Sequence, residues 1–171
     1  GNDFMTYRRK KLVSIDKNCN LKDSKSILDI ANKHSPDLID VAQDDALAAG
    51  TVDILESNGF TVFGPTKKAS RIEWDKKWSR EFMKKYDIPT PFFNSFNSEE
   101  LAIDYVERLY SKEPKKIVYV KATGLCGGKG ALRSTNLSEA IESIKKMKTF
   151  EKSGRVFLIE DALIGEEFSY Y

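Results

Sequence analysis

The sequence predicts an α/β protein built from a parallel βαβ unit followed by an α+β region. Short apolar segments at residues 38–42 and 60–63 flank a helical segment with tight turns, the order typical of a parallel βαβ unit. Further along, a β-branched strand runs directly into a glycine-rich loop at residues 117–131. Two capped amphipathic helices and two further strand-like segments surround that loop, which favours a second, mixed region.

Composition limits the classes of function. With 171 residues and 40% hydrophobic content, the chain is long enough for one sizeable core or two small ones. The 28 basic and 26 acidic residues nearly balance, which argues against a nucleic-acid binder held by bulk charge. No apolar run reaches the roughly 18 residues of a membrane span, so we expect a cytoplasmic protein without a membrane partner. Cys19 and Cys126 lie far apart, which favours reduced thiols.

The N-terminal part begins with polar sequence. The basic run at residues 8–11 is typical of a solvated face, and residues 12–15 could form a short strand. From Ser26, helical spacing continues to about His34, a residue interpreted as a helix end. A second helix is predicted from residue 43 to the C-cap pair at 58–59, and Gly50 inside it indicates close packing.

The next predicted helix covers residues 69–86. Trp74, Trp78 and Phe82 recur at i, i+4 and i+8, which favours core packing for this aromatic stripe. Lys76 lies on the opposite side, where it is free to reach solvent or a ligand. The extended segment at residues 88–91 carries two prolines and is the best candidate for a domain boundary.

The C-terminal part reads as strands alternating with capped helices. A short strand at residues 92–96 precedes a helix that Asn97 would cap, and Asn136 with Glu139 predicts a second capped helix. A buried strand follows at residues 155–159. Beyond an acidic segment at residues 160–163, residues 166–171 look like a further strand.

The most informative stretch is residues 117–131, which we call the glycine flap. Its apolar strand ends at Lys121 and passes into a loop that carries Lys129 and four glycines: Gly124, Gly127, Gly128 and Gly130. Glycines let backbone N–H groups turn toward an anion, and the two ammonium groups supply countercharge. The pattern predicts a phosphate-binding flap. A flexible hairpin with solvated lysines is the alternative that the local pattern leaves open.

The flap differs from a Walker A loop. That motif requires G-x-x-x-x-G-K-[ST] between a strand and a helix. Here Gly130 follows Lys129, and Thr123 stands where the first glycine would be. A short extended piece at residues 131–133 follows the loop, so the order strand, loop, strand predicts a hairpin that hangs over its ligand.

Several stretches in order resemble one enzyme family, the glycinamide ribonucleotide synthetases (phosphoribosylamine–glycine ligases) of the ATP-grasp superfamily. They are DDALAAG, FGPT, the EWDK segment with its following IPT, VKATGLCGGKG and IEDALIGEEFS; Gly1-Asn2 resembles the end of the family's PGN turn. The resemblance implies a Rossmann-like (pre-ATP-grasp) N-terminal domain at residues 1–91. It also implies an ATP-grasp lid subdomain at 92–162 and the start of the second ATP-grasp subdomain at 163–171.

The resemblance also implies a function. Members of this family use ATP to phosphorylate glycine, and the amine of 5-phosphoribosylamine then attacks the glycyl phosphate; Mg²⁺ (or Mn²⁺) is required. By motif, the residues expected to hold ATP are Lys76, Lys121, Gly124, Gly127, Gly128, Lys129, Gly130, the hinge residues Glu160, Asp161, Ala162 and Leu163, and Glu167 at the ribose, with Glu166 as the fallback. Glycine and phosphoribosylamine are thus the expected partners, without nucleic acid.

Two departures from the family pattern qualify these expectations. Asp44 and Asp45 stand in the family's GPEAPLAAG segment; they suit a helix N-terminus but would repel a substrate phosphate there. The family's G-x-GGRE-x-A loop is absent, and its metal ligands are expected beyond Tyr171, so no metal-binding or catalytic residue is assigned and the 171 residues alone are expected to be inactive.

Two alternatives remain. One is another ATP-grasp ligase, such as a carboxyaminoimidazole ribonucleotide synthase or a carboxylase subunit, which DDALAAG and FGPT disfavour. The other is a nucleotide-binding module without catalysis.

Overall fold

A computed structural model of the chain describes residues 13–170, which form two compact units that divide between Ala69 and Ser70. The basic run at residues 8–11 and the Gly1-Asn2 pair lie outside the described residues. Residues 13–15 form no strand, so the described part of the strand suggested at 12–15 is wrong. The boundaries at residues 91 and 162 stay predictions, and the two compact units divide elsewhere, after Ala69. None of the helices within residues 13–170 is both long and apolar enough to cross a membrane.

The N-terminal unit is the predicted βαβ arrangement preceded by a helix. Helix α1 (Ser24–His34) is capped by Asp23, and the parallel strands β1 (Ile39–Asp40) and β2 (Val62–Phe63) pair with Ile39 opposite Val62. Between the strands lie α2 (Asp44–Ala49) and α3 (Thr51–Ser57). The hydrophobic core of this unit comes from α1, the residue after β1 and both later helices: Ala31, Val41, Ala46, Leu47, Val52 and Leu55.

Gly50 separates two helices where one was predicted. Its φ of 84° is left-handed, and its N–H bonds back to the carbonyls of α2, which ends that helix. A side chain is strained in this conformation, and a Cβ here would also lie 3.3 Å from Cδ of Lys67. The close packing inferred from this glycine is therefore present, but the chain turns there instead of continuing.

The first helix of the C-terminal unit is also divided. Residues 69–86 form α4 (Arg71–Trp74) and α5 (Lys76–Lys85), because Asp75 leaves helical geometry and caps α5 by accepting from the N–H of Trp78. Trp78 and Phe82 stack with ring centroids 5.1 Å apart. Trp74, Trp78 and Phe82 are only half-buried, so the core position predicted for this stripe is wrong.

A four-stranded antiparallel sheet forms the centre of the C-terminal unit. Its strand order is β3 (Phe93–Phe96), β6 (Phe157–Asp161), β4 (Val118–Ala122) and β5 (Ala131–Ser134). One face packs on α6 (Glu99–Lys112) and α7 (Leu137–Lys146), and a 3-10 helix (Met147–Phe150) and α8 (Glu151–Gly154) lead into β6. All four strands lie close to where the sequence predicted them.

Two smaller differences from the sequence predictions concern the cap of α6 and the last residues of the chain. Ser98, not Asn97, caps α6, and it bonds both the N–H of Leu101 and the carboxylate of Glu100. Asn136 caps α7 as predicted, by accepting from the N–H of Glu139. Residues 166–170 form no strand, contrary to the prediction, because the described residues offer this segment no pairing partner.

Candidate nucleotide-binding site

The glycine flap is a β-hairpin. Strands β4 and β5 pair antiparallel with Lys121 opposite Ala131, so residues 123–130 form the loop at the end of the hairpin. The N–H of Ala122 donates to the carbonyl of Gly130 at 2.8 Å and closes the loop. The predicted order of strand, glycine loop and strand is confirmed, and the loop is not the start of a helix.

The base of the loop is fixed by the segment that precedes β6. The N–H and hydroxyl of Thr123 both donate to the carbonyl of Val156, at 3.2 Å and 2.8 Å. The N–H of Gly124 donates to the carbonyl of Ser153, whose hydroxyl donates to Leu125 O at 3.0 Å. A Cβ on Gly124 would lie 2.7 Å from Oγ of Ser153, so this position has no room for a side chain.

The tip of the loop is open. Gly127 and Gly128 have φ of 55° and 79°, and a Cβ at either position would meet nothing within 4 Å. Lys129 is exposed, and its N–H closes a turn with the carbonyl of Cys126 at 3.1 Å. Positive φ at two successive glycines turns backbone amides in a direction that other residues rarely allow. The tip can therefore approach a ligand closely with its backbone.

Strand alternation places Lys121 on the face of the sheet opposite the helices. Val118, Val120 and Ala122 are fully buried in the core beneath α6 and α7. The intervening Tyr119 and Lys121 project from the other face, since successive side chains of a strand alternate. Tyr119 is directly opposite Glu160 on β6, so Lys121 and Glu160 are diagonal neighbours on that same face.

Three charged side chains meet on this face, and we call Arg80, Lys121 and Glu160 the ion cluster. Nζ of Lys121 lies 2.6 Å from Oε2 of Glu160, and Nε of Arg80 lies 2.7 Å from Oε1. Glu160 is 1% exposed. Burial raises the pKa of the Glu160 carboxyl, but hydrogen bonds and charge from Arg80 and Lys121 outweigh burial and hold that pKa below its ordinary value.

Helix α5 also carries Lys76, whose backbone contacts the base of the flap. Lys76 and Arg80 are four residues apart, so both lie on one face of α5. The N–H of Lys76 donates to the carbonyl of Thr123 at 2.9 Å, which joins the first turn of α5 to the base of the glycine loop. The helix start at Lys76, rather than a continuous helix from residue 69, makes this N–H available for that bond.

The hinge residues differ in whether their backbone N–H groups are already hydrogen-bonded. The N–H groups of Asp161 and Ala162 donate to the carbonyls of Phe92 and Ile117, at 2.9 Å and 3.0 Å. The Asp161 carboxylate pairs with Lys116 at 3.0 Å and is turned away from the ion cluster by the alternation of β6. Leu163 is 76% exposed, and its N–H forms no hydrogen bond with the residues that the structure describes. Leu163 thus has the one open donor among these three amides.

The remaining expected residues lie beyond the ordered hinge. Glu166 and Glu167 are exposed, and neither has an ion-pair partner among residues 13–170. An open cleft of about 510 Å³ lies beside the hinge, lined in part by Lys116, Asp161 and Ile164. In the part of the chain that the structure describes, no group of three or more His, Cys, Asp or Glu side chains is arranged to hold a metal ion.

Arg80 is a site residue that no sequence pattern indicates. A basic residue in a lysine-rich amphipathic helix is indistinguishable by pattern from a solvated one. Its partner Glu160 is 80 positions away, so only the packing of α5 on β6 reveals the pair. The motif places Glu160 only in the hinge, whereas in the structure its side chain joins two cations, Arg80 and Lys121.

Two family profiles together match residues 4–171 of the chain. The profile described as phosphoribosylglycinamide synthetase, N domain, matches residues 4–73, and the ATP-grasp (A) domain of the same synthetase matches residues 74–171. The chain belongs to the phosphoribosylglycinamide synthetase family. The family and fold expected from the flap, FGPT and hinge motifs are therefore confirmed.

Similarity to individual proteins of this synthetase family supports the same assignment. The phosphoribosylamine–glycine ligase of Streptococcus suis is 36% identical over all of this chain, which spans 39% of that protein's length. A crystal structure of phosphoribosylamine–glycine ligase from Thermotoga maritima has a TM-score of 0.59 at 27% identity, over 81% of this chain and 33% of its own. A D-alanine–D-alanine ligase from Bacillus anthracis, complexed with ATP, shares the fold alone, with a TM-score of 0.66 at 21% identity over 91% of this chain and 48% of its own.

Proposed function

We propose that this chain supplies the nucleotide-holding part of an ATP-dependent ligase that joins glycine to 5-phosphoribosylamine. The observation that carries the proposal is the match of both synthetase domains in order, together with a glycine hairpin whose base carries the ion cluster. The products are glycinamide ribonucleotide, ADP and phosphate. With these substrates, the partners are small molecules and the enzyme is cytoplasmic.

The reaction has two group transfers. A carboxylate oxygen of glycine attacks the γ-phosphorus of ATP, the bond to the bridging oxygen breaks, and ADP leaves. The amine of phosphoribosylamine then attacks the carbonyl carbon of the glycyl phosphate, phosphate departs with the bonding pair, and the amine loses a proton. Water would hydrolyse the acyl phosphate, so such a site must exclude it. The open tip of the glycine flap, at Gly127 and Gly128, is suited to cover the phosphates in this way.

The ion cluster supports binding of the triphosphate. One buried carboxylate lies between two cations, so the cluster carries a net charge of +1, and Lys76 adds a further cation on the same face of α5. Positive groups fixed in a partly desolvated site stabilise phosphoryl oxygens without reorganising during the reaction. We assign Lys121 and Lys76 to the ATP phosphates, and Lys129 with the loop amides of Gly124, Gly127, Gly128 and Gly130 to the closing flap. Mg²⁺, or Mn²⁺, would neutralise further phosphate charge when bound.

The hinge supports binding of the adenine and ribose. Its backbone would read the adenine edge at residues 160–163, and the open N–H of Leu163 is the best donor because Asp161 and Ala162 use theirs in the sheet. The carboxylate of Glu167 would accept from the ribose hydroxyls, with Glu166 as the fallback. Both carboxylates are exposed and have room to do so.

Release of ADP by the full-length protein tests this function. The protein is supplied with ATP and one of three substrate sets: glycine with phosphoribosylamine, D-alanine, or bicarbonate. ADP release that depends on both glycine and phosphoribosylamine is expected. Release with D-alanine or bicarbonate instead would identify another ATP-grasp ligase. ATP binding without turnover on any set would favour a module that only binds nucleotide.

A further inference from the structure

Arg80 reaches the sheet from a distant part of the chain and ends on a buried carboxylate. Its Nε lies 2.7 Å from Oε1 of Glu160, and its Nη2 lies 3.4 Å from Oε2. Its Nη1 lies 3.6 Å from the sulfur of Met83, one turn along α5. The Arg80 side chain is 20% exposed. Each nitrogen of this guanidinium therefore contacts a protein group, and two of them bind the Glu160 carboxylate, so the main interaction of Arg80 is with Glu160.

The charge of the ion cluster depends on Arg80. Glu160 contributes one negative charge and is almost completely buried, while Arg80 and Lys121 contribute two positive charges. Without Arg80, Lys121 would face the carboxylate alone at 2.6 Å, and the pair would sum to zero. At such a distance in a partly buried site, the carboxylate cancels most of the field of the ammonium. Arg80 thus provides the excess positive charge.

The geometry of Lys121 depends on Arg80 as well. Because Arg80 binds Oε1 at 2.7 Å and approaches Oε2 only to 3.4 Å, Oε2 remains available to Lys121 at 2.6 Å. An ammonium has three N–H donors, and Glu160 accepts one of them. Nζ of Lys121 also lies 5.3 Å from the ring centroid of Tyr119, on the same face of the sheet. The remaining donors are left for an anion on the open face.

We propose that Arg80 is a positioning residue of the nucleotide site: by binding Glu160 it fixes Lys121 and keeps it effectively positive for a nucleoside triphosphate. The inference rests on the proposed function in that it takes the bound anion to be the phosphates of ATP. Its consequence is selective. Loss of Arg80 weakens binding of ATP, whose phosphates carry the charge, and leaves binding of adenosine nearly unchanged.

The test compares equilibrium binding of ATP and of adenosine, by calorimetry, in the full-length protein and its variants. Arg80→Met is expected to raise the Kd for ATP by about tenfold. Its Kd for adenosine should change less than about twofold. Arg80→Lys retains the charge but not the two-nitrogen contact with the carboxylate, so it should recover only part of the loss. Arg108→Met is the matched control, because Arg108 is exposed on α6, on the far side of the sheet from the ion cluster.

A double variant separates this role from a purely structural one. Arg80→Met combined with Glu160→Gln removes one charge of each sign, so Lys121 again provides a net charge of +1. We expect ATP affinity in the double variant to return toward the wild-type value, whereas two lost structural contacts would weaken binding further. The double variant also replaces the buried carboxylate that Arg80→Met alone leaves half-paired, so it can be measured if the single variant does not fold.

The outcomes distinguish this inference from the proposed function. Equal ATP affinity in Arg80→Met and Arg108→Met, a parallel loss of ATP and adenosine binding, or no recovery in the double variant would each overturn the role of Arg80. The ligase assignment would survive those results. Tight, Arg80-dependent ATP binding in a protein that does not couple glycine to phosphoribosylamine would overturn the ligase and leave the role of Arg80 in place.

Discussion

The base and the tip of the glycine flap are built in opposite ways. At the base, Thr123 and Gly124 are bonded to the segment before β6, and Lys121 is held by a carboxylate that is 1% exposed. At the tip, Gly127, Gly128 and Lys129 are exposed, and the two glycines have open space around them. The difference indicates that the fold itself fixes the charge at the base of the flap; under the proposed function, closure of the tip over the phosphates would depend on the ligand.

The largest effect is expected when the base loses its carboxylate. Glu160→Gln leaves Arg80 and Lys121 close together without their shared counter-ion, and breaking such a buried pair costs roughly 3–5 kcal/mol. The free energy of unfolding, measured by urea denaturation, should fall by about this amount. Glu142→Gln on the exposed face of α7 is the control and should change it by less than about 0.5 kcal/mol. A loss as small as that of the control would show that the base is not held by this carboxylate.

The same carboxylate predicts how stability responds to pH. The pKa of Glu160 is lowered in the folded protein, so the unfolded chain binds its proton more readily, and stability falls as pH drops. This contribution is present above the ordinary glutamate pKa of about 4.3 and is lost as pH falls through the lowered folded value. Unfolding free energies from pH 6 to pH 3 should therefore fall more steeply in the wild type than in Glu160→Gln. Parallel curves would contradict the ion cluster.

Loss of Lys121 should affect ligand binding most. Lys121→Ala removes a charge-assisted contact of about 1.5–3 kcal/mol, which corresponds to roughly a tenfold to hundredfold rise in the Kd for ATP. Lys152→Ala is the control, because Lys152 is an exposed residue of α8. The two Kd values are measured by the same titration in the full-length protein. Equal values would remove Lys121 from the site and favour the plain hairpin with solvated lysines.

Alanine at two glycines compares base and tip directly. At Gly124 a Cβ would lie 2.9 Å from Cβ and 3.0 Å from Cα of Ser153, so Gly124→Ala should cost roughly 2–3 kcal/mol of stability through overpacking. At Gly128 only the left-handed backbone opposes a side chain, so Gly128→Ala should cost about 1 kcal/mol. Gly128→Asn should cost less than Gly128→Ala, since asparagine tolerates this conformation. Denaturation midpoints of the three variants check this order, which would be reversed if the tip were the packed end.

Local patterns predicted most of the flap and its surroundings. β-Branched alternation predicted β4, the glycine spacing predicted a loop returning into β5, and Asn136 with Glu139 predicted the start of α7. Each of these signals lies within a few residues of its consequence. The same local pattern predicts Lys121 as a candidate site residue, because it lies where the strand meets the loop.

The errors arise where the decisive interaction is distant or competes with helical spacing. Arg80 meets Glu160 only through the packing of α5 on the sheet, which no local pattern shows. Asp75 is a favourable N-cap residue, but the aromatic spacing of Trp74 and Trp78 continues through it and conceals the break. At residues 166–170, alternating side chains suggested a strand, yet a strand forms only where another strand pairs with it.

The smallest effect on stability is expected at the tip. Lys129 is exposed, and the hydrogen bond from its N–H to the carbonyl of Cys126 is kept by the substitution, so Lys129→Ala should alter the free energy of unfolding by less than about 0.5 kcal/mol. ATP binding should weaken by roughly threefold to tenfold, because an exposed ammonium is screened until the flap closes over the phosphates. Raising the salt concentration should reduce this difference for Lys129→Ala more than for Lys121→Ala, since the base is already partly buried. An identical salt dependence in the two variants would mean that the tip and the base meet the ligand in the same environment, and the contrast between them would not hold.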